Sequence, residues 1–354
     1  VAFMKGIELC KRFHFEFVEP LLSNHFPDLR YSSSLIGPGS EVLGYDTEMS
    51  TDHDWGPRVV LFLQANDMYL VNSISQVLQT NRPREFYGYT VDLNQTIMTT
   101  LAQFLESKLA TDFEKGPELL DWLTFPSQVL AEIVGGEVFR DDAGHLAAIR
   151  KQLHYYPHDI WLYIMASVWN RIGQEEHLVL RAGYVGDELG SSIIGSRIVK
   201  DIMDLCFLME RQYAPYPKWF GTAFKKLDCA NELLPLLSNV QSALTWRERG
   251  TALCKAYESI ARMHNRLGIS EVMPEQASPF YNRPYKVIQG GAFANAIAAQ
   301  ITDPLIRRLS QKRLIGGIDQ ISDNTDFKFI NLWHAVEHSG ERNTVRALYN
   351  KILE

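Results

Sequence analysis

The chain is poor in the features that mark most specialised classes of protein. Cysteine is scarce, with four in 354 residues. Cys10, Cys206, Cys229 and Cys254 lie too far apart for the short spacing of a zinc site or the density of a disulfide framework. Reduced, buried thiols are expected, as in a cytoplasmic protein. No apolar run approaches the ~20 residues that cross a bilayer, and the amino-terminal residues lack the basic segment and apolar core of a secretory signal. A membrane is therefore not an expected partner. Positive charge is not in excess: 35 Lys and Arg stand against 42 Asp and Glu, a net charge of -7. That balance argues against a broad phosphate-neutralising face and so against nucleic acid as a partner, while leaving room for a local nucleotide pocket. Internal repeats and low-complexity segments are also missing.

What is present is a globular composition, 46% hydrophobic and 22% charged, in a length that folds as about two domains. Between Lys5 and Leu22 the apolar residues Ile7, Cys10, Phe13, Phe17 and Leu21 recur every three or four positions, the period of a helix. Tyr31 to Ile36 reads as a strand that runs into the turn-forming cluster Gly37-Pro38-Gly39-Ser40. A short helix is expected over Glu41 to Met49. A second strand follows from Asp52 to Leu63, with a bulge or edge at Gly56-Pro57, then a helix from Asp67 to Gln79 and a third strand from Phe86 to Leu93. Beyond Leu101 helical periodicity takes over, notably at Asp159 to Ile172, Ser191 to Tyr213 and Arg247 to Leu267. The expected class is α+β: a small α/β domain with a mixed sheet over residues 1–95, then a larger, mainly helical domain over 96–354.

The most specific feature is Gly39-Ser40, eleven intervening residues, and Asp52-His53-Asp54 ahead of the apolar run Val59 to Leu63. Glycine permits close backbone approach, and a turn entering a helix presents N–H groups to a phosphate. On a strand, alternate residues share a face, so Asp52 and Asp54 would converge on one divalent cation while His53 points away. Taken alone, a Gly-Ser pair is a tight turn and Asp-x-Asp a pair of solvated turn residues. The spacing and the strand context turn both toward phosphate and metal chemistry.

This arrangement resembles the nucleotidyltransferase superfamily of the DNA-polymerase-β and kanamycin-nucleotidyltransferase type. More closely, Gly37 to Asp46, Ser50 to Arg58 and Tyr213 to Phe224, with Gly186 to Gly190, Arg283-Pro284-Tyr285 and Asp319-Gln320, resemble the family named domain of unknown function 4037. The resemblance implies magnesium-dependent transfer of a nucleoside monophosphate, AMP foremost, from a nucleoside triphosphate to a hydroxyl, with pyrophosphate leaving and manganese as an alternative ion. It places the metal on Asp52 and Asp54 and the triphosphate on Gly39 and Ser40, and makes Asp92 the candidate third carboxylate. Trp55-Gly56-Pro57-Arg58 departs from the superfamily pattern by separating the second Asp from its apolar strand. Arg58 there is a candidate phosphate ligand or the partner of a surface carboxylate.

In the helical domain, expected to form the acceptor side of the cleft, Asp187 is a candidate base, with Glu188 beside it and Glu176 as a competitor. Both Asp187 and Glu188 also suit a helix cap. Arg197, Asp201, Asp204 and Arg211 form a stripe that reads as a solvated, salt-bridged face. Lys218 is a candidate triphosphate ligand or a surface lysine; Trp219 and Phe220 read as core, and His264 as structural. The acceptor, a small molecule or a protein, is not specified. The alternative reading is a nucleotide-sensing or partner-binding module of the same fold with little or no transfer activity.

Overall fold

The computed structural model describes residues 3–52, 55–328 and 344–354, the side chain of Thr344 excepted. The chain divides into two compact units, one built on Val1–Pro117 and Gln128–His154, the other on Glu118–Ser127, Tyr155–Lys328 and the carboxy-terminal segment.

In the first unit the amino-terminal periodicity folds as α1 (Gly6–Phe13), a π-helical turn His14–Val18 and α2 (Glu19–His25). These bury Phe13, Phe17, Val18 and Leu22 against Tyr31, Val59, Leu61, Leu63, Ile74 and Leu78. The last six come from β1 (Tyr31–Leu35), β2 (Val60–Leu63) with the residue before it, and α3 (Val71–Asn81). A hairpin of β3 (Glu85–Phe86) and β4 (Tyr89–Thr90) precedes β5 (Ile97–Thr99), α4 (Leu101–Leu109), α5 (Ser127–Val134), β6 (Glu137–Asp141) and α6 (His145–Gln152). The sheet order is β5-β2-β1-β6. β1 runs antiparallel to β2 and β6, and β2 parallel to β5, so the sheet is mixed and the class α+β.

Four local expectations are corrected. The second strand begins at Val60, not Asp52, because Trp55, Gly56 and Pro57 are buried: the Cys10 thiol donates to the Gly56 carbonyl at 3.3 Å, and Trp55 meets the Tyr89 ring at 4.9 Å. Asp52 instead ends a 3-10 turn, Glu48–Asp52. The helix over Glu41 to Met49 does not form: the Tyr45 N–H bonds the Ser40 carbonyl at 2.8 Å and the Gly44 N–H bonds the Glu41 carbonyl, a run of turns rather than an α-helical ladder. The third strand is broken by a tight turn with Tyr87 at φ 52° and Gly88 at φ 83°, positive at both central positions as in the favoured hairpin turns. The sheet, finally, takes β5 and β6 from beyond residue 95. The Ile97 N–H donates to the Val59 carbonyl at 3.1 Å.

The second unit is helical: α7 (His158–Tyr184), α8 (Glu188–Met209), α9 (Pro217–Phe224), α10 (Ala230–Ser242) and α11 (Trp246–Leu267), a short ribbon of β7 (Ser278–Pro279) and β8 (Lys286–Val287), then α12 (Gly290–Ala298), α13 (Pro304–Lys312), α14 (Ile318–Ile321) and α15 (Thr344–Leu353). α7 carries the buried Trp161, Tyr163 and Trp169. It meets α12 so closely that a Cβ on Gly173 would lie 2.4 Å from the Gly291 nitrogen, and one on Gly290 would lie 2.6 Å from the Trp169 carbonyl oxygen. Glu176 fastens the same junction, accepting N–H bonds from Ile288 (2.7 Å), Gln289 (3.2 Å) and Gly290 (3.2 Å). Burial outweighs those donors and holds its carboxyl up at about 7. All four cysteines are free, but only Cys10 and Cys206 are buried; Cys229 and Cys254 are half-buried. No helix among the described residues is long and apolar enough to cross a membrane.

Candidate functional site

The loop from β1 to β2 is shaped by two inward-turned carboxylates. Glu41, 2% exposed, pairs with the Arg58 guanidinium, whose Nη2 also donates to the Pro38 carbonyl at 3.0 Å. Asp46, equally buried, accepts the Gly6 N–H at 2.8 Å and pairs with Lys5 at 3.2 Å. The first contact ties Arg58, four residues after Asp54 in sequence, back to the Gly37–Ser40 turn. The second pins the middle of the loop to the start of α1. At Gly39, φ is +145°, and a Cβ there would lie 2.5 Å from Glu41 Oε1 and 2.7 Å from Arg58 Nη2. Glycine is required because the Glu41–Arg58 pair lies directly under the turn. The Gly37 N–H donates to the Glu132 carbonyl at 3.0 Å, holding the turn on α5.

The structure thus brings Gly39, Ser40 and Arg58 together. Arg58 is turned toward the loop's own carboxylate and carbonyl, which makes it a buttress of the turn. The turn does not enter a helix, so the expected helix-terminal charge is absent from it. Asp52 is exposed at the end of its 3-10 turn, where strand alternation does not apply. His53 and Asp54 lie outside the described residues. Asp92 caps the 3-10 turn Leu93–Gln95, its carboxylate accepting the Asn94 N–H at 3.0 Å, and it precedes β5 instead of lying on a sheet strand. Among the described residues no group of three His, Cys, Asp or Glu is arranged to hold a metal ion. Cys10, beneath the loop, has its thiol pushed up to about 11 by burial, with Arg58 acting the other way; it is a packing thiol, not a nucleophile.

In the second unit, Asp187 caps α8 by accepting the Gly190 N–H at 2.7 Å, and Glu188 pairs with Arg249 at 3.4 Å. Lys218 is exposed in the first turn of α9, its ammonium 5.1 Å from the Trp219 ring centre. Phe220 packs on Phe207 with centres 5.3 Å apart, although both it and Trp219 are only half-buried. His264 is buried and bonds Ser270 at 2.8 Å, as a structural histidine should. The stripe on α8 is salt-bridged as expected but solvated only in part: Arg197 and Arg211 are exposed and Asp204 is half-buried, while Asp201 turns inward. Asp201 is 2% exposed and pairs with Arg171 at 3.0 Å; burial lifts its carboxyl to about 7, against the pull of Arg171.

Sequence reasoning passed over Glu41 and Asp46, the two residues that shape the loop. No local signal marks them, since acidic residues in a glycine-rich turn segment ordinarily face water.

Comparison with known proteins bears on a different stretch. The model of a family described as a domain of unknown function (DUF4037) matches residues 122–220, so the resemblance to that family holds over α5 to the start of α9, including Tyr213 to Phe220. Among solved structures, the chain is similar to a nucleotidyltransferase-like protein from Exiguobacterium sibiricum 255-15, at 12% identity and a TM-score of 0.34, over 83% of this chain and 91% of that one. A likeness of that size carries no argument about chemistry. No curated protein matches the chain.

Proposed function

We propose that the chain is a magnesium-dependent nucleotidyltransferase that moves a nucleoside monophosphate, AMP foremost, from a nucleoside triphosphate to a hydroxyl of a small-molecule or protein acceptor. The supporting observation is the closed loop. The Arg58–Glu41 pair ties the chain downstream of the Asp-x-Asp motif back to the Gly39–Ser40 turn, closing the sequence stretch that carries both parts of the motif. In this reading the Gly39 and Ser40 backbone and the Ser40 hydroxyl grip triphosphate oxygens, and Arg58 positions the turn. Asp52 and Asp54 offer oxygen donors only, the set magnesium prefers, and would hold the ion, which neutralises charge on the triphosphate. Asp92 remains the proposed third carboxylate. In the helical unit Lys218 is the proposed phosphate ligand; Asp187 caps the start of the 22-residue α8, about 30 Å along the helix from the Phe207 on which Phe220 packs, and so is too far from Lys218 to act as base beside it.

A second reading is a nucleotide-binding module with little or no transfer activity. It draws support from Asp52 ending a 3-10 turn and from Asp92 being committed to capping its own turn. Labelled nucleoside triphosphates, magnesium and an acceptor panel separate the two. The transferase releases pyrophosphate, and the Asp52→Ala/Asp54→Ala variant falls by at least about a hundredfold. Equal, negligible release by both proteins, with nucleotide still bound, supports the binding module.

A further inference from the structure

The second unit contains a cavity of about 320 Å³, at the small end of the ~300–1,000 Å³ typical of ligand pockets. Its walls come from segments a hundred residues apart in sequence. One is α8 with the Gln212–Pro217 turn and α9; the other runs from Asp319 to Lys328. Two motifs singled out in the sequence, Tyr213 to Phe224 and Asp319-Gln320, meet here.

The lining has two characters. One side is aromatic: Phe207 lies against Phe220, and the Tyr156 and Tyr213 rings meet at 5.1 Å nearly perpendicular. The other side is a fixed array of charge. The Lys200 ammonium bridges Asp204 at 2.8 Å and Asp323 at 3.1 Å. Asp319 pairs with Lys328 and also accepts the Ser127 N–H at 2.8 Å. Among the described residues that line the cavity, three carboxylates thus face two ammonium groups in a partly apolar wall. Behind it Arg171 pairs with Asp201 at 3.0 Å. The aromatic side already faces a cation, since Lys200 Nζ lies 5.9 Å from the Phe220 ring centre. At the edge, Arg211 takes φ +53° as the left-handed residue of the cap that ends α8, where the Gln212 N–H bonds the Phe207 carbonyl at 2.9 Å and the Arg211 N–H the Leu208 carbonyl at 3.3 Å.

We propose that this cavity binds a small organic cation, an amine carried on a single ring or similarly compact apolar body. Excess carboxylate and aromatic faces both select positive charge, and the volume matches one ring with a short arm. The site does not depend on the nucleotidyl-transfer reading.

Calorimetric titration of the full chain with 2-phenylethylamine, 2-phenylethanol and 3-phenylpropionate tests it. The amine is expected to bind at least about tenfold more tightly than the alcohol or the acid, and Phe220→Ala and Asp204→Asn each to weaken the amine about tenfold. Asp323, on the exposed rim, provides a variant that keeps the fold, and Asp323→Asn is expected to weaken the amine by a smaller factor. No binding of any of the three, equal binding of amine and alcohol, or undiminished amine binding in folded Asp323→Asn and Phe220→Ala overturns the proposal.

Discussion

At the residue scale, the informative groups are ionisable side chains taken out of water. Glu41 sits under the Gly39 turn as half of an ion pair, and removing Arg58 would leave a buried carboxylate without that partner, a change that typically costs ~3–5 kcal/mol. His14 shows the same principle without a pair. It is fully buried against Phe139, with ring centres 5.6 Å apart, and neither ring nitrogen has a hydrogen-bond partner among the described residues. Burial, reinforced by Arg140, lowers its pKa to about 4, and burial does the same at His264. An unfolded histidine titrates near ~6.5, so between pH 6.5 and 4 the unfolded chain takes up protons that the fold refuses. This contribution to stability is present above pH 6.5 and is lost as pH falls toward 4. Glu176 and Asp201, raised to about 7, work in the opposite sense, since their contribution is present at low pH and lost as pH rises through 7. Replacing one histidine isolates its part. His14→Phe is expected to gain about 2 kcal/mol relative to wild type between pH 7 and pH 4.5, read from urea unfolding at the two pH values; a constant difference would show that His14 takes up its proton in the fold at the same pH as in the unfolded chain.

At the scale of elements, backbone proximity governs what the sequence tolerates. α7 and α12 meet through Gly173 and Gly290, neither of which leaves space for a Cβ against the facing backbone, and Glu176, one turn along α7, caps α12 at the same junction. Gly173→Ala would ordinarily favour a helix by ~1 kcal/mol. Here it sets a methyl against backbone, and the expected result is a net loss of about 1–3 kcal/mol, measured by denaturant unfolding; a gain in stability would show that the helices separate without cost. The elements also explain which expectations held. α7, α8 and α11 were legible because long amphipathic periodicity survives local detail. The Glu41 to Met49 helix and the strand from Asp52 failed because side chains there turn inward to Arg58, Lys5 and α1, and tertiary contacts override short-range pattern. β6 was invisible as a strand: its five residues are all half-buried, so they lack a marked alternation, and only pairing with β1 identifies them.

At the scale of the molecule, two units with their own interiors carry two separate candidate sites, a braced glycine loop in one and a charged aromatic cavity in the other. If the loop binds nucleotide, magnesium with a nucleoside triphosphate at about 100 times its Kd adds ~2.7 kcal/mol to the stability of the unit that binds it. The expected outcome is a rise in melting temperature for wild type and none for Asp52→Ala/Asp54→Ala; an equal rise in both would place the nucleotide elsewhere. The sequence by itself determined the α+β class, the long helices and the glycine turn with its acidic neighbours, because these follow from periodicity and backbone permission that act within a few residues. Only the tertiary structure decided which acids serve as anchors, which strands complete the sheet, and that residues near 213 and near 319 close one cavity. Burial and ion pairing depend on segments far apart in the chain, and no local pattern records them.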